Sequence, residues 1–178
     1  MASARRSGGT LRCDWFIHEE KNEAVAMVVY NDDAAMQKHL ASGNHYAALA
    51  NCCDGALEFF GTPAKESVQA VSCLNPKILK FAYGINPTST AIHAAITPQH
   101  GERGIEIYTR LDIFQGKLDQ CKGVGAELIP IVRAKDPGTS RYDWFYHDES
   151  LQGVAMDCYI DTPSMFAHMK NAHDVHEL

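Results

Sequence analysis

The feature that most constrains this chain is an internal repeat. LRCDWFIHEEKNEAVAMVVYNDDAAMQKHLASGNHYAAL starts at Leu11, and SRYDWFYHDESLQGVAMDCYIDTPSMFAHMKNAHDVHEL starts at Ser140. At a constant offset of 129 the ungapped identities number fourteen. They run from Arg12/Arg141 through Asp14/Asp143, Trp15/Trp144, Phe16/Phe145 and His18/His147 to Tyr30/Tyr159, Asp32/Asp161, His39/His168 and Leu49/Leu178. So dense a match over so short a span reads as a duplication, and whatever the first copy folds into, the second should fold into as well.

Each copy has one local grammar. RCDWFIH and RYDWFYH alternate between two faces and are rich in aromatics, which suits a strand with Trp on one side and Phe on the other. A polar break, Glu19 to Glu23 or Asp148 to Gln152, turns the chain into a second strand, EAVAMVVY or GVAMDCY. Asp32 and Asp161 stand where a helix N-cap belongs, and Pro163 sits in a first turn, where proline is tolerated. The expected order is strand, hairpin, strand, helix, twice. Between the copies, ALEFFGTP reads as a strand ended by a Gly and Pro turn. NPKILKFAYGINP holds a short apolar segment between two Asn-Pro pairs, and IEIYTRLDIF alternates as a strand. Residues 116–135 have helical spacing through Leu118, Cys121, Val124, Leu128 and Val132. Gly123, Gly125 and Pro130 inside that span predict a kinked or interrupted helix.

Composition excludes several classes. A chain of 178 residues that is 46% apolar and 21% charged can bury a core and is not generally disordered. No apolar run approaches the roughly 20 residues of a membrane span, and none follows the basic MASARRSGG stretch as a secretory signal requires. The net charge of −6 gives no support to nucleic-acid or anionic-membrane partners. Cys13, Cys52, Cys53, Cys73, Cys121 and Cys158 show neither a disulfide framework nor a CxxC pair, so they read as reduced thiols in a cytoplasmic protein.

RYDWF, an apolar strand closing on a tyrosine, and a helix carrying a histidine together resemble the antibiotic-biosynthesis monooxygenase family. The helix pattern Ala35, His39, Ser42, His45 fits that family's A-x-x-x-H-x-x-S-x-x-H, and GALEFFGTP resembles its closing strand. The likeness covers roughly residues 11–63 and 105–178. It implies an α+β fold, tandem ferredoxin-like units forming a dimeric α+β barrel, here a pseudo-dimer within one chain. The units would span 10–65 and 105–178, with 66–104 as a connector. The first copy lacks the family's opening strand and helix, and the second its closing strand. Either the chain is a fragment of a longer tandem protein, or a partner completes both units, so a homodimer or higher oligomer is expected.

The resemblance also implies an activity. Family enzymes oxidise quinol-like aromatics with molecular oxygen, without metal or flavin, so no cofactor is expected. His39, His45 and His168 are then candidate bases, and Tyr30 and Tyr159 could hold a phenol or carbonyl oxygen. Trp15, Phe16, Trp144 and Phe145 could line the site of a small aromatic molecule. A protein core would equally retain these aromatics, and helix packing the histidines, so a non-catalytic binding or assembly module on the same barrel is the alternative. The intact Ala35, His39, Ser42, His45 pattern favours the first half as the active one, since Asn171 replaces the serine in the second and His173 falls one position early. Haem-degrading relatives place an Asn, a Trp and a His where this chain has Thr109, His39 and Leu49, which disfavours haem chemistry. His168, His173 and His176 lack the spacing and acidic partner of a metal site.

Overall fold

A computed structural model describes residues 9–41, 51–85 and 104–176. The chain divides into two compact units, residues 1–58 with 63–77, and residues 59–62 with 78–178.

In the first unit, β1 (Thr10–His18) and β2 (Glu23–Tyr30) form an antiparallel hairpin, followed by α1 (Asp33–Ala41) and, further on, the short α2 (Lys65–Ala70). Asp32 caps α1 as expected, its Oδ1 accepting the Ala35 amide at 2.8 Å. Asp33 ties α2 to α1 by accepting from the Ala64 amide and the Ser67 hydroxyl.

The second unit is built on a curled five-stranded sheet in the order β3 (Glu58–Phe60), β4 (Lys77–Gly84), β6 (Thr139–His147), β7 (Gln152–Tyr159), β5 (Ile105–Asp112). The β4–β6, β6–β7 and β5–β7 pairs are antiparallel. The architecture is therefore mixed α+β. The segment between the two Asn-Pro pairs is β4, and it supplies β6 with its outer neighbour.

Two helices, α3 (Leu118–Lys135) and α4 (Thr162–His176), belong to this unit. Of the kinked or interrupted helix expected over residues 116–135, the interruption does not occur, since α3 continues through Pro130. The reason is tertiary. Leu128, Ile129 and Val132 are buried in one cluster with Tyr142, Trp144, Tyr146 and Ala155, and that burial outweighs proline's local cost. Gly125 belongs to the same fit, because an added Cβ there would collide with the Tyr83 hydroxyl. On the opposite face of the sheet Phe145 packs with Leu79, Val154 and Met156.

The hairpins of the two units agree residue by residue. Trp15 pairs with Ala26 as Trp144 pairs with Ala155, and His18 with Glu23 as His147 with Gln152. The register slips at Thr10/Arg12 and again at Thr139/Arg141. Arg12–Asp14 and Arg141–Asp143 are ion-paired, and Asp161 caps α4 as Asp32 caps α1.

The surroundings of these hairpins differ. Trp144 is 9% and Phe145 1% exposed, whereas Trp15 is 41% and Phe16 48% exposed.

Candidate functional site

An open cleft of about 320 Å³ lies in the second unit, lined by Ile107, Thr109, Asp157, Tyr159, His168, Met169 and Ala172. Strand alternation explains the set. Ile107 and Thr109 are two apart on β5, and Asp157 and Tyr159 two apart on β7, so all four project from one face of the sheet. Asp157 sits opposite both Ile107 and Tyr142. His168 and Ala172 are one turn apart on α4, which brings them to one side of the helix. The Asp161 cap fixes where α4 begins, with Oδ1 accepting the Ser164 amide at 2.9 Å.

His168 is buried, and its Nδ1 lies 2.8 Å from Oδ2 of Asp136. Asn171 donates from Nδ2 to the other oxygen of Asp136 at 2.5 Å. A carboxylate oxygen accepts, so Nδ1 is the donor in this bond and Nε2 is the ring nitrogen left for another partner. Tyr142 and Tyr159 hold the ring in place, with centroids 4.9 and 5.4 Å from it.

Asp157 is the unusual member of the site. It is 8% exposed, and its Oδ1 has no hydrogen-bond partner. Burial pushes its carboxyl up to about 7; hydrogen bonding from Tyr159 lowers it, the nearby Asp143 charge raises it, and Arg141 lowers it. Burial also raises the Tyr159 and Tyr142 phenols, with Asp157 adding to both shifts, so both stay protonated in the working pH range.

The first unit makes a different arrangement from the same residues. His39 Nδ1 lies 2.7 Å from the Tyr30 hydroxyl, and their rings meet edge-on at 5.6 Å. Position 28, which matches Asp157, is a valine, so no carboxylate competes there for the tyrosine.

The other expected site residues fall as follows. Trp144 sits in the core beneath α3, and Phe145 points to the opposite face of the sheet, so neither lines the cleft. Trp15 and Phe16 stand exposed on the first hairpin. His45, with Ser42 and Leu49, lies outside the described residues. From sequence, Asp-Pro-Gly at 136–138 reads as a stop with nothing to mark Asp136 as a partner of His168, and Asp157 reads as a charge costly to bury. Comparing the copies position by position singles out Asp157, since Val28 stands in its place, whereas Asp136 precedes the repeat and has no counterpart in it. Among the described residues, no group of three His, Cys, Asp or Glu side chains could hold a metal ion. Nor is any described helix long and apolar enough to cross a membrane.

The fold and the cleft define a mixed α+β protein with a helix-covered sheet and a small-molecule-sized recess between the two. No protein-family model matches the chain, and no curated protein does. A solved structure does: the crystal structure of a "putative monooxygenase" from Lactobacillus acidophilus is similar to this chain with a TM-score of 0.51 at 11% identity, over 99% of this chain and 77% of that one. At that identity the likeness is one of fold.

Proposed function

We propose that the protein is a cofactor-independent, monooxygenase-like enzyme acting on a small quinol-type aromatic, with the second unit as the active half. One observation carries this reading: a buried histidine, oriented by a buried aspartate at 2.8 Å, borders a cleft with apolar walls. Nε2 of His168 takes the proton of a phenol, and Asp136 stabilises the imidazolium that results. The electron-rich phenolate then reacts with molecular oxygen at a ring C–H carbon. One oxygen atom becomes a quinone carbonyl and the other leaves as water. Tyr159, whose hydroxyl is engaged by Asp157, packs beside His168 and helps to fix the ring against the cleft. The monooxygenase-like fold of the Lactobacillus acidophilus structure supports the reading.

The test replaces His168 and, separately, His39 with alanine and follows oxygen uptake with a panel of quinols. Loss of a general base predicts a fall of about 10²- to 10⁴-fold for His168→Ala and little change for His39→Ala. Equal losses would refute the assignment to the second half. No turnover by the unmodified protein with any quinol would leave the binding-module reading as the better one.

The same proposal includes self-association into a homodimer. Trp15, Phe16, Ile17 and Val25 are exposed, whereas their counterparts Trp144, Phe145, Tyr146 and Val154 are buried. So apolar a surface favours burial against a second copy. A monomer mass by light scattering at micromolar concentration would overturn this part.

A further inference from the structure

We propose that Asp157 makes the cleft selective by charge, admitting uncharged phenols and disfavouring those that carry a carboxylate. The inference rests on the reading of the cleft as a phenol site and adds what that site would reject.

Three observations support it. First, none of the seven lining side chains is a lysine or arginine, so an anionic ligand would find no fixed cation to offset its charge. Second, Asp157 is more than nine-tenths buried with Oδ1 unpartnered, a costly arrangement that no structural need of its own accounts for. Third, the chain contains its own control. Val28 occupies the matching strand position, opposite Cys13 as Asp157 is opposite Tyr142, so this hairpin accepts an apolar residue there. The acid is therefore an addition made in the half that holds the cleft.

Asp157 acts through its field rather than by touching the ligand. The groups facing it are Tyr142 from β6, Tyr159 from its own strand and His168 from α4 with Asp136 from the end of α3, while Arg141 and Asp143 act from the other face of the sheet. Arg141 is engaged by Asp143 at 2.7 Å. Deprotonating a neutral phenol creates its charge together with the imidazolium of His168, so that anion arrives paired. A ligand carboxylate would arrive unpaired. At a separation of about 6 Å and an effective dielectric of about 40, which suits an open cleft, the repulsion amounts to roughly tenfold in affinity.

The closing experiment measures equilibrium binding of 2-naphthol and 6-hydroxy-2-naphthoate to the native protein, Asp157→Asn and Asp157→Val, at pH 8 and pH 5.5. The naphthoate stays ionised at both values. At pH 8 the native preference for naphthol should exceed that of either variant by about tenfold. At pH 5.5, where Asp157 is largely protonated, the three proteins should converge. His168 and Asp136 are present in all three, so the differences isolate Asp157. Variants that keep the native preference at pH 8 would overturn the inference, as would a native protein that binds neither probe. Binding requires no turnover, which separates the two readings. A charge preference without oxygen uptake would sink the enzymatic reading alone, and oxygen uptake without the preference would sink this one.

Discussion

Replacing Asp157 with asparagine should make the protein more stable at alkaline pH and flatten part of its pH–stability profile. Burial raises this carboxyl from 3.8 to about 7, so between those values the native state holds a proton that the unfolded chain has released. Stability is therefore lost as pH rises from about 4 to about 7, and the loss is complete above that. A shift of roughly three units at about 1.4 kcal/mol each sets an upper bound of about 4 kcal/mol. Asparagine has nearly the same shape and no charge to desolvate. Native protein and Asp157→Asn should thus be close in stability near pH 4, with the variant ahead by up to about 4 kcal/mol at pH 8. Urea unfolding followed by circular dichroism at half-unit steps of pH measures the difference, and other titrating groups cancel in it. Parallel curves across the whole range would show that Asp157 ionises normally in the folded protein, and the argument from its burial would fall.

The repeat offers two further comparisons within one chain. Asp143→Ala should cost about 3–5 kcal/mol, because both partners of its ion pair are buried, while Asp14→Ala should cost less, because Asp14 is half-exposed and water can take its place beside the equally buried Arg12. Equal costs in thermal unfolding would refute the reasoning from burial. Leu151 occupies the left-handed region at φ 53°, as Asn22 does in the matching turn, so Leu151→Asn should gain roughly 1 kcal/mol. A loss would show that contacts of the leucine outweigh the backbone strain.

The parts of the fold legible in the sequence were those fixed locally. Alternating aromatics define β1 and β6, Asp32 and Asp161 cap the helices that follow, and the constant offset foretold the matched hairpin registers. What could not be read was decided by partners distant in the chain. KILKFAYG becomes β4 because it pairs with β6, with Phe81 opposite Phe145 across 64 positions, and nothing within its own length demands that. Pro130 and two glycines predict a kinked or interrupted α3, and the buried surface beneath the helix is what keeps it continuous. The site divides in the same way. His168 and Tyr159 were visible because they recur, whereas Asp136 lies 32 positions from the histidine it orients and looked like turn punctuation.

The two histidines show how little change separates a packing residue from a candidate base. In the first copy the Tyr30 phenol meets His39 directly, a stable arrangement that ties up Nδ1 with a neutral partner. In the second, an acid at position 157 gives the tyrosine another partner, and an acid at position 136 takes over Nδ1 of His168. The ring geometry hardly alters, with centroids 5.6 Å apart in one copy and 5.4 Å in the other. What alters is the group at Nδ1, a phenol in one copy and a carboxylate in the other. A carboxylate at Nδ1 accepts from the ring and leaves Nε2 as the nitrogen open to another partner. Val28 holds the position of Asp157 in the first copy, so the hairpin does not depend on that acid. In the second half two carboxylates, Asp136 and Asp157, stand near a histidine held under the sheet, and that is the arrangement on which the proposed proton transfer depends.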